Sequence, residues 1–310
     1  MPEFSVVLPI YNKSEFLRQT IQSVLDQEFK DFEVIAVNDG STDQSLEILK
    51  GFADARIKII DQQNHGLSKA RNIGIAAASG KRVALLDADD FWKNDHLETL
   101  KHLGILFPKA AVLGTGYVER YGNGNLLAPQ LNLKNTTTPQ IITDFFIANL
   151  KQPLVGQSSI AFTKDVIEDC GGFDPKITYA EDVDFYIRIF LKHQMAYDPK
   201  VTCHHTMDAE NQITRSRKSE RSIPDFQKYL DENPNNASLM QYINLKRYFL
   251  AIFYKVENRP DLFRAMREKI DEHLLTSRQR KLLKAPKQVV LTLRFIKDYV
   301  LKKGKRLTSF

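Results

Sequence analysis

Apolar residues recur through the first ninety positions in short blocks separated by amphipathic stretches. Residues 4–8, 32–38, 57–60 and 83–86 read as buried strands. Between them, residues 15–27, with Phe16, Ile21, Val24 and Leu25 at helical spacing, and residues 46–52 and 66–78 read as helices. Such βα repeats predict a parallel sheet flanked by helices. Further on, the pattern predicts a helix over 94–107 and a hairpin over 111–121 turning at Gly122 to Asn125. A strand over 158–163, an amphipathic helix over 181–192 and a last strand over 196–203 follow. Beyond about Asn211 strand signals stop, and residues 238–256, 261–275 and 287–302 read as helices separated by Pro234, Pro260 and Pro286. The expected organisation is an α/β domain over 1–210 and a basic helical appendage over 211–310.

Composition narrows the class. With 43% hydrophobic residues over 310 positions, the chain can bury a sizeable core. Only Cys170 and Cys203 occur, which excludes a disulfide scaffold and predicts two unrelated buried thiols in a reducing compartment. The first twelve residues lack a basic start followed by an apolar run, and no apolar stretch reaches membrane-spanning length. A cytoplasmic protein, soluble or peripheral, is therefore expected. The net charge of +6 is lopsided. Nine cations, Lys281, Lys284, Lys287, Arg294, Lys297, Lys302, Lys303, Lys305 and Arg306, face only Asp298 in the last thirty residues. A basic tail implies an anionic partner, while the nearly neutral remainder argues against nucleic acid as a partner of the whole molecule.

The chemistry gathers where the strand over 83–86 runs into Asp87, Asp89 and Asp90. Ligands of open α/β sheets bind beyond the carboxyl ends of strands, and clustered carboxylates suit Mg²⁺ or Mn²⁺ carrying phosphates. The other reading of Asp89 or Asp90 is a cap for the helix near Asn94. The first strand is followed by Pro9 to Lys13 without glycine, so the dinucleotide fingerprint is missing, which weighs against NAD or FAD. Glu181, Asp182 and Asp184 open a helix, either as a general base with its neighbours or as acids favoured by the helix dipole.

Five motifs stand in order along the chain: VVLPIYN (6–12), VNDGSTD (37–43), HGLSKARNIG (65–74), LLDADDF (85–91) and AEDVDF (180–185). Together they resemble the family 2 glycosyltransferases over about residues 4–214. The resemblance implies a GT-A fold, a nucleotide-binding, mostly parallel sheet flanked by helices and extended by an acceptor-binding part. It further implies that Pro9 and Tyr11 line a nucleobase pocket, that Asp39 accepts a hydrogen bond from the base, and that Arg71 reaches base or diphosphate. Asp87 would touch the donor's sugar or ribose, and Asp89 would bind a Mn²⁺ or Mg²⁺ bridging the phosphates. Within the pair Glu181 and Asp182, Asp182 would be the general base of an inverting displacement, its pKa raised by Glu181 and Asp184. His205 is a candidate metal ligand, with a surface pair formed with His204 as the other reading.

The implied activity is transfer of a hexosyl or N-acetylhexosaminyl group from a nucleoside-diphosphate sugar, a UDP-sugar first of all, to a hydroxyl of a cell-surface glycan or lipid-linked acceptor. A sugar-phosphate nucleotidyltransferase is the alternative, weakened by the absence of a glycine-rich basic loop at Pro9 to Lys13. A non-catalytic nucleotide- or glycan-binding relative is opposed by the intact Asp89 and Asp182. In the last helix, Val289, Leu293, Ile296 and Val300 form one stripe and Arg294, Lys297, Lys302 and Lys303 lie mostly elsewhere. That pattern predicts peripheral contact with the anionic inner face of the cell membrane, or else a helix docked on the body with solvated lysines.

Overall fold

The protein is described here by a computed structural model covering residues 1–207, 209, 212 and 216–306. The central strands β1 (Phe4–Ile10) and β2 (Phe32–Asp39) are buried along their whole length, as continuous apolar runs require when helices cover both faces of a sheet. They pair in parallel, with β3 (Ile57–Gln62) outside β2 and β4 (Arg82–Leu85) on the other side of β1. Helices α1 (Ser14–Leu25), α2 (Ser45–Lys50) and α3 (Leu67–Ala77) make the crossovers.

Beyond β4 short antiparallel pairings join the sheet, while its long ladders are parallel, as expected. Its order is β3-β2-β1-β4-β9-β6-β10-β5. Strand β9 (Ile160–Thr163) runs antiparallel to both β4 and β6 (Val112–Arg120), because it enters from the 3-10 turn Gln157–Ser159 rather than from a crossover helix. The long β10 (Met195–Thr206) pairs in parallel with β6 and antiparallel with the two-residue β5 (Phe91–Trp92). Short strands β7 (Leu126–Leu127) and β8 (Gln140–Ile142) pair with β6 and β10 respectively. Helix α4 (His96–Leu106) lies against β6 and β10.

Helices α5 (Phe145–Ala148), α6 (Lys164–Cys170) and α7 (Glu181–Phe190) share one face of the sheet with α8 (Phe226–Glu232), the 20-residue α9 (Ala237–Val256) and α10 (Pro260–Glu268). Their core is continuous. It runs from Val7 and Ile35 under the sheet through Phe145 and Tyr186 to Tyr242, Tyr248 and Leu250 of α9. A boundary at 210/211 falls outside the described residues. The helix expected over 261–275 stops at Glu268, because Asn244 of α9 bonds the backbone of Asp271 in both directions, at 2.8 and 3.0 Å. Helices α11 (Ser277–Lys284) and α12 (Lys287–Lys302) follow. Cys203 is buried and Cys170 half-buried, both free. No helix among the described residues is long and apolar enough to cross a membrane.

Candidate active site

Because β2, β1 and β4 are adjacent and parallel, the loops leaving their carboxyl ends meet at one edge of the sheet. The loop after β1 is pinned to the loop after β2: Asn12 accepts from the Thr42 backbone N–H at 2.8 Å, and the Lys13 N–H donates to Ser45 at 2.9 Å. Asn12 itself has a φ of 51°, a left-handed conformation that asparagine tolerates better than most residues. This leaves Tyr11 45% exposed on the rim, while Pro9 is buried within β1 opposite Val37. Asp39, at the end of β2, is buried and accepts from Gln62 and from the backbone N–H groups of His65 and Gly66. Its carboxylate thereby holds the entry to α3, where Gly66 takes a φ of 89°.

Arg71 and Asn72 of α3 tie that wall to α7. Arg71 is 2% exposed, and its guanidinium forks between Asp87 Oδ1 at 2.7 Å and Glu181 Oε1 at 3.0 Å while lying over the Phe173 ring. Asn72 makes two bonds to the Phe173 backbone, at 2.7 and 2.8 Å. The segment before α7 is thus held to α3 on both sides. Ala180, the residue before the helix, sits at φ 61°, in a region non-glycine residues seldom adopt. Asp182 is partly exposed at the helix start, and its Oδ1 accepts from the Val183 N–H at 2.8 Å.

The three acids after β4 have different surroundings. Asp87 meets Arg71, and its backbone N–H donates to Ser158. Asp89 is buried, with Lys13 Nζ 2.8 Å from its Oδ2 and Gln212 at 3.3 Å. Asp90 is structural, accepting from Ser158 Oγ, His205 Nδ1 and the Thr206 N–H at 2.6, 2.7 and 2.8 Å. It locks β10 onto the end of β4. His205 is enclosed between Asp90, Cys203 Sγ at 3.8 Å from its Nε2, and the edge of Tyr117. Gly156 packs so closely that a Cβ there would lie 2.3 Å from His205 Cε1. The structure therefore brings Pro9, Tyr11, Asp39, Arg71, Asp87, Asp89, Glu181 and Asp182 to one edge and turns both His205 nitrogens toward Asp90 and Cys203.

Electrostatics follow from these contacts. Burial, then the nearby Asp90 and Asp87, push the Asp89 carboxyl above its ordinary range against the pull of Lys13. Burial and Asp182 likewise raise Glu181 against the pull of Arg71. The expected repulsion from Asp184 is corrected by its partners: Asp184 pairs with Arg188 at 2.7 Å and accepts from Tyr229, so its charge is spent within the scaffold. A divalent cation fits at Asp89 on two observations. A buried carboxyl held up by like charges calls for a cation, and the Lys13 ammonium stands there as one. Among the described residues no group of three or more His, Cys, Asp or Glu side chains is assembled to hold a metal. The protein would thus contribute one or two carboxylates, a donor set suited to Mg²⁺ or Mn²⁺ whose remaining ligands are phosphate and water.

Three features of this site carried no readable motif. Lys13 is one cation in a loop, yet it reaches across to Asp89. Gln157, next to the Ser158 that bonds Asp87 and Asp90, and the Tyr186 hydroxyl, in the field of Asp182, are buried without hydrogen-bond partners. Lys246 of α9 lies over the Tyr242 ring at 4.6 Å within the field of Asp182, and burial lowers its pKa against that attraction. Such pairings need the tertiary fold and have no sequence spacing.

The profile of the glycosyl transferase family 2 matches residues 5–170, more than half of the chain. The chain belongs to glycosyl transferase family 2. The uncharacterized glycosyltransferase EpsJ of Bacillus subtilis is 31% identical over 195 residues, covering 61% of this chain and 56% of EpsJ. Glycosyltransferase GlyA of Streptococcus pneumoniae is 45% identical over 100 residues, 32% of this chain and 14% of GlyA. The chain thus spans about half the length of the one relative and a small part of the other. The crystal structure of S. aureus TarS 1-349 in complex with UDP-GlcNAc superposes with a TM-score of 0.61 at 17% identity, over 97% of this chain and 81% of that one. That likeness extends through the helical C-terminal part and fixes the fold as GT-A.

Proposed function

We propose that this glycosyltransferase moves one sugar from a UDP-sugar to a hydroxyl of a cell-surface glycan or lipid-linked acceptor by inverting, metal-assisted displacement. The observation that carries this reading is the Arg71 bridge between Asp87 and Glu181, which ties the acids after β4 to the start of α7, where Asp182 stands. The uridine nucleotide held by a protein of the same fold supports the donor class.

In this reading the exposed Tyr11 ring stacks on the base, Asp87 contacts the donor's sugar or ribose, and Asp89 with Lys13 faces the diphosphate. A Mn²⁺ or Mg²⁺ held at Asp89 would neutralise charge on the leaving diphosphate. Asp182 accepts the proton of the acceptor hydroxyl as that oxygen bonds to the anomeric carbon. The carbon–oxygen bond to phosphate breaks on the opposite face, and the nucleoside diphosphate departs with the electron pair. Glu181 is held by Arg71 and leaves Asp182 as the free acid of the pair.

Calorimetric titration with UDP, GDP and CMP, each with Mn²⁺ and with EDTA, tests base, metal and class together. The expected result is binding of UDP that requires the metal and disappears in Asp89→Ala. Binding that is equally strong in EDTA would remove the metal from the reading, and binding of none of the three would remove the donor class.

A further inference from the structure

The last helix is docked the opposite way from an ordinary surface helix. Its inward face carries buried Val290 and Leu301 but also Arg294, whose guanidinium lies over Phe253 at 5.0 Å, and the half-buried Lys297. Its outward face carries Leu291, Phe295, Ile296 and Tyr299, exposed by 41, 73, 43 and 56%, with Val289 on the shoulder. These positions follow one another at helical spacing, so they form a single stripe. The remaining outward residues are Gln288, Thr292, Asp298, Lys302 and Lys303, and the exposed Lys305 follows the helix. The stripe predicted from the sequence, Val289, Leu293, Ile296 and Val300, is thus displaced, with Leu293 and Val300 turned partly inward.

We infer that this face is a seat for an anionic phospholipid surface. Aliphatic side chains with two aromatic rings, bounded by lysines, are what a helix lying in the headgroup region presents, the rings at the boundary and the ammonium groups toward phosphate. Charge decides between lipid and a second copy of the chain. The outward side carries Lys302 and Lys303, with Lys305 just beyond, against Asp298 alone, so two such faces repel each other, whereas an anionic surface gains with each cation within a Debye length. The helix is also firmly mounted. Asn123 and Asn125 donate to the Lys302 carbonyl, the latter at 2.9 Å, and Arg306 pairs with Glu119 of β6 at 2.5 Å. Glu119 stands beside His205 in the β6–β10 register, and His205 holds Asp90. The seat therefore fixes how the site edge is presented to the surface.

The experiment is co-sedimentation of the full chain with vesicles of phosphatidylcholine alone and of phosphatidylcholine mixed with phosphatidylglycerol. Binding to the mixed vesicles should exceed that to neutral ones about tenfold and weaken as salt rises. The double variant Phe295→Ser/Tyr299→Ser should lose most of that binding while keeping its melting temperature, since both rings are exposed. Lys302→Gln/Lys303→Gln should lose only the part that salt removes. Unchanged sedimentation of the Phe295/Tyr299 variant would overturn the inference. So would a dimer in light scattering that this variant abolishes, with no vesicle binding by the parent. None of these readouts uses donor or catalysis, so they stand or fall apart from the transfer reaction.

Discussion

Three acids in one helical turn have three fates, and their partners decide which. Asp184 is paired with Arg188, Glu181 is held by Arg71, and Asp182, among the described residues, accepts only from the Val183 N–H through Oδ1. Asp182→Asn keeps the shape and removes the proton acceptor that the proposed reaction requires. Transfer should fall about 10³-fold while UDP affinity in calorimetry stays unchanged. A matching loss of UDP affinity would move Asp182 to the donor side. Arg71 serves two buried or half-buried carboxylates at once, so Arg71→Met leaves both without a counter-charge. A loss of about 3–5 kcal/mol is expected in denaturant unfolding, together with loss of donor binding. A drop below about 1 kcal/mol would mean that the acids are relieved by water or by protonation instead.

At the scale of elements, the site depends on how α3 grips the segment before α7. Asn72→Ala removes both partners of the Phe173 backbone and should cost about 1–3 kcal/mol in thermal unfolding. It should also lower turnover more than UDP affinity, because the acids of α7 shift and the loops after β1 and β4 do not. Equal losses in both would place the effect on the whole domain. The βα repeats were legible because a strand buried on both faces must be continuously apolar, and each crossover helix must turn one apolar stripe inward. The short helices α6, α8 and α11 were not, since lengths of 7–8 residues leave little room for a period to show. The early end of α10 was hidden for another reason. It depends on Asn244, 27 residues away along the chain.

For the molecule as a whole, His96 offers a pH test of the core behind the site. It is fully buried against Trp92 and Thr202, and burial lowers its pKa from 6.5 to about 3. Below pH 6.5 the unfolded chain takes up a proton that the native protein refuses, so stability falls as pH falls through that window. Between pH 7 and 5 this one group should cost about 2 kcal/mol. Denaturant unfolding across that range should show the slope, and His96→Gln should flatten it. An unchanged slope would assign the acid sensitivity to other groups.

By itself the sequence determined the α/β class and the strand ends beyond which acids gather, and it singled out Asp87, Asp89, Glu181 and Asp182 as candidates that the fold brings to one edge. These are local facts. A buried strand declares itself by continuous apolarity, and Asp39 and Asp87 stand at the ends of such strands, while Glu181 and Asp182 open a helix. What the tertiary structure alone decided is who faces whom. Arg71 lies between two acids more than ninety residues apart, Lys13 meets Asp89, and Asp90 is spent on His205. The last helix turns its aromatic residues out and two of its cations in. Each of these rests on a contact between distant segments, and a hydrogen bond or ion pair made across the fold leaves no period in the chain for the sequence to display.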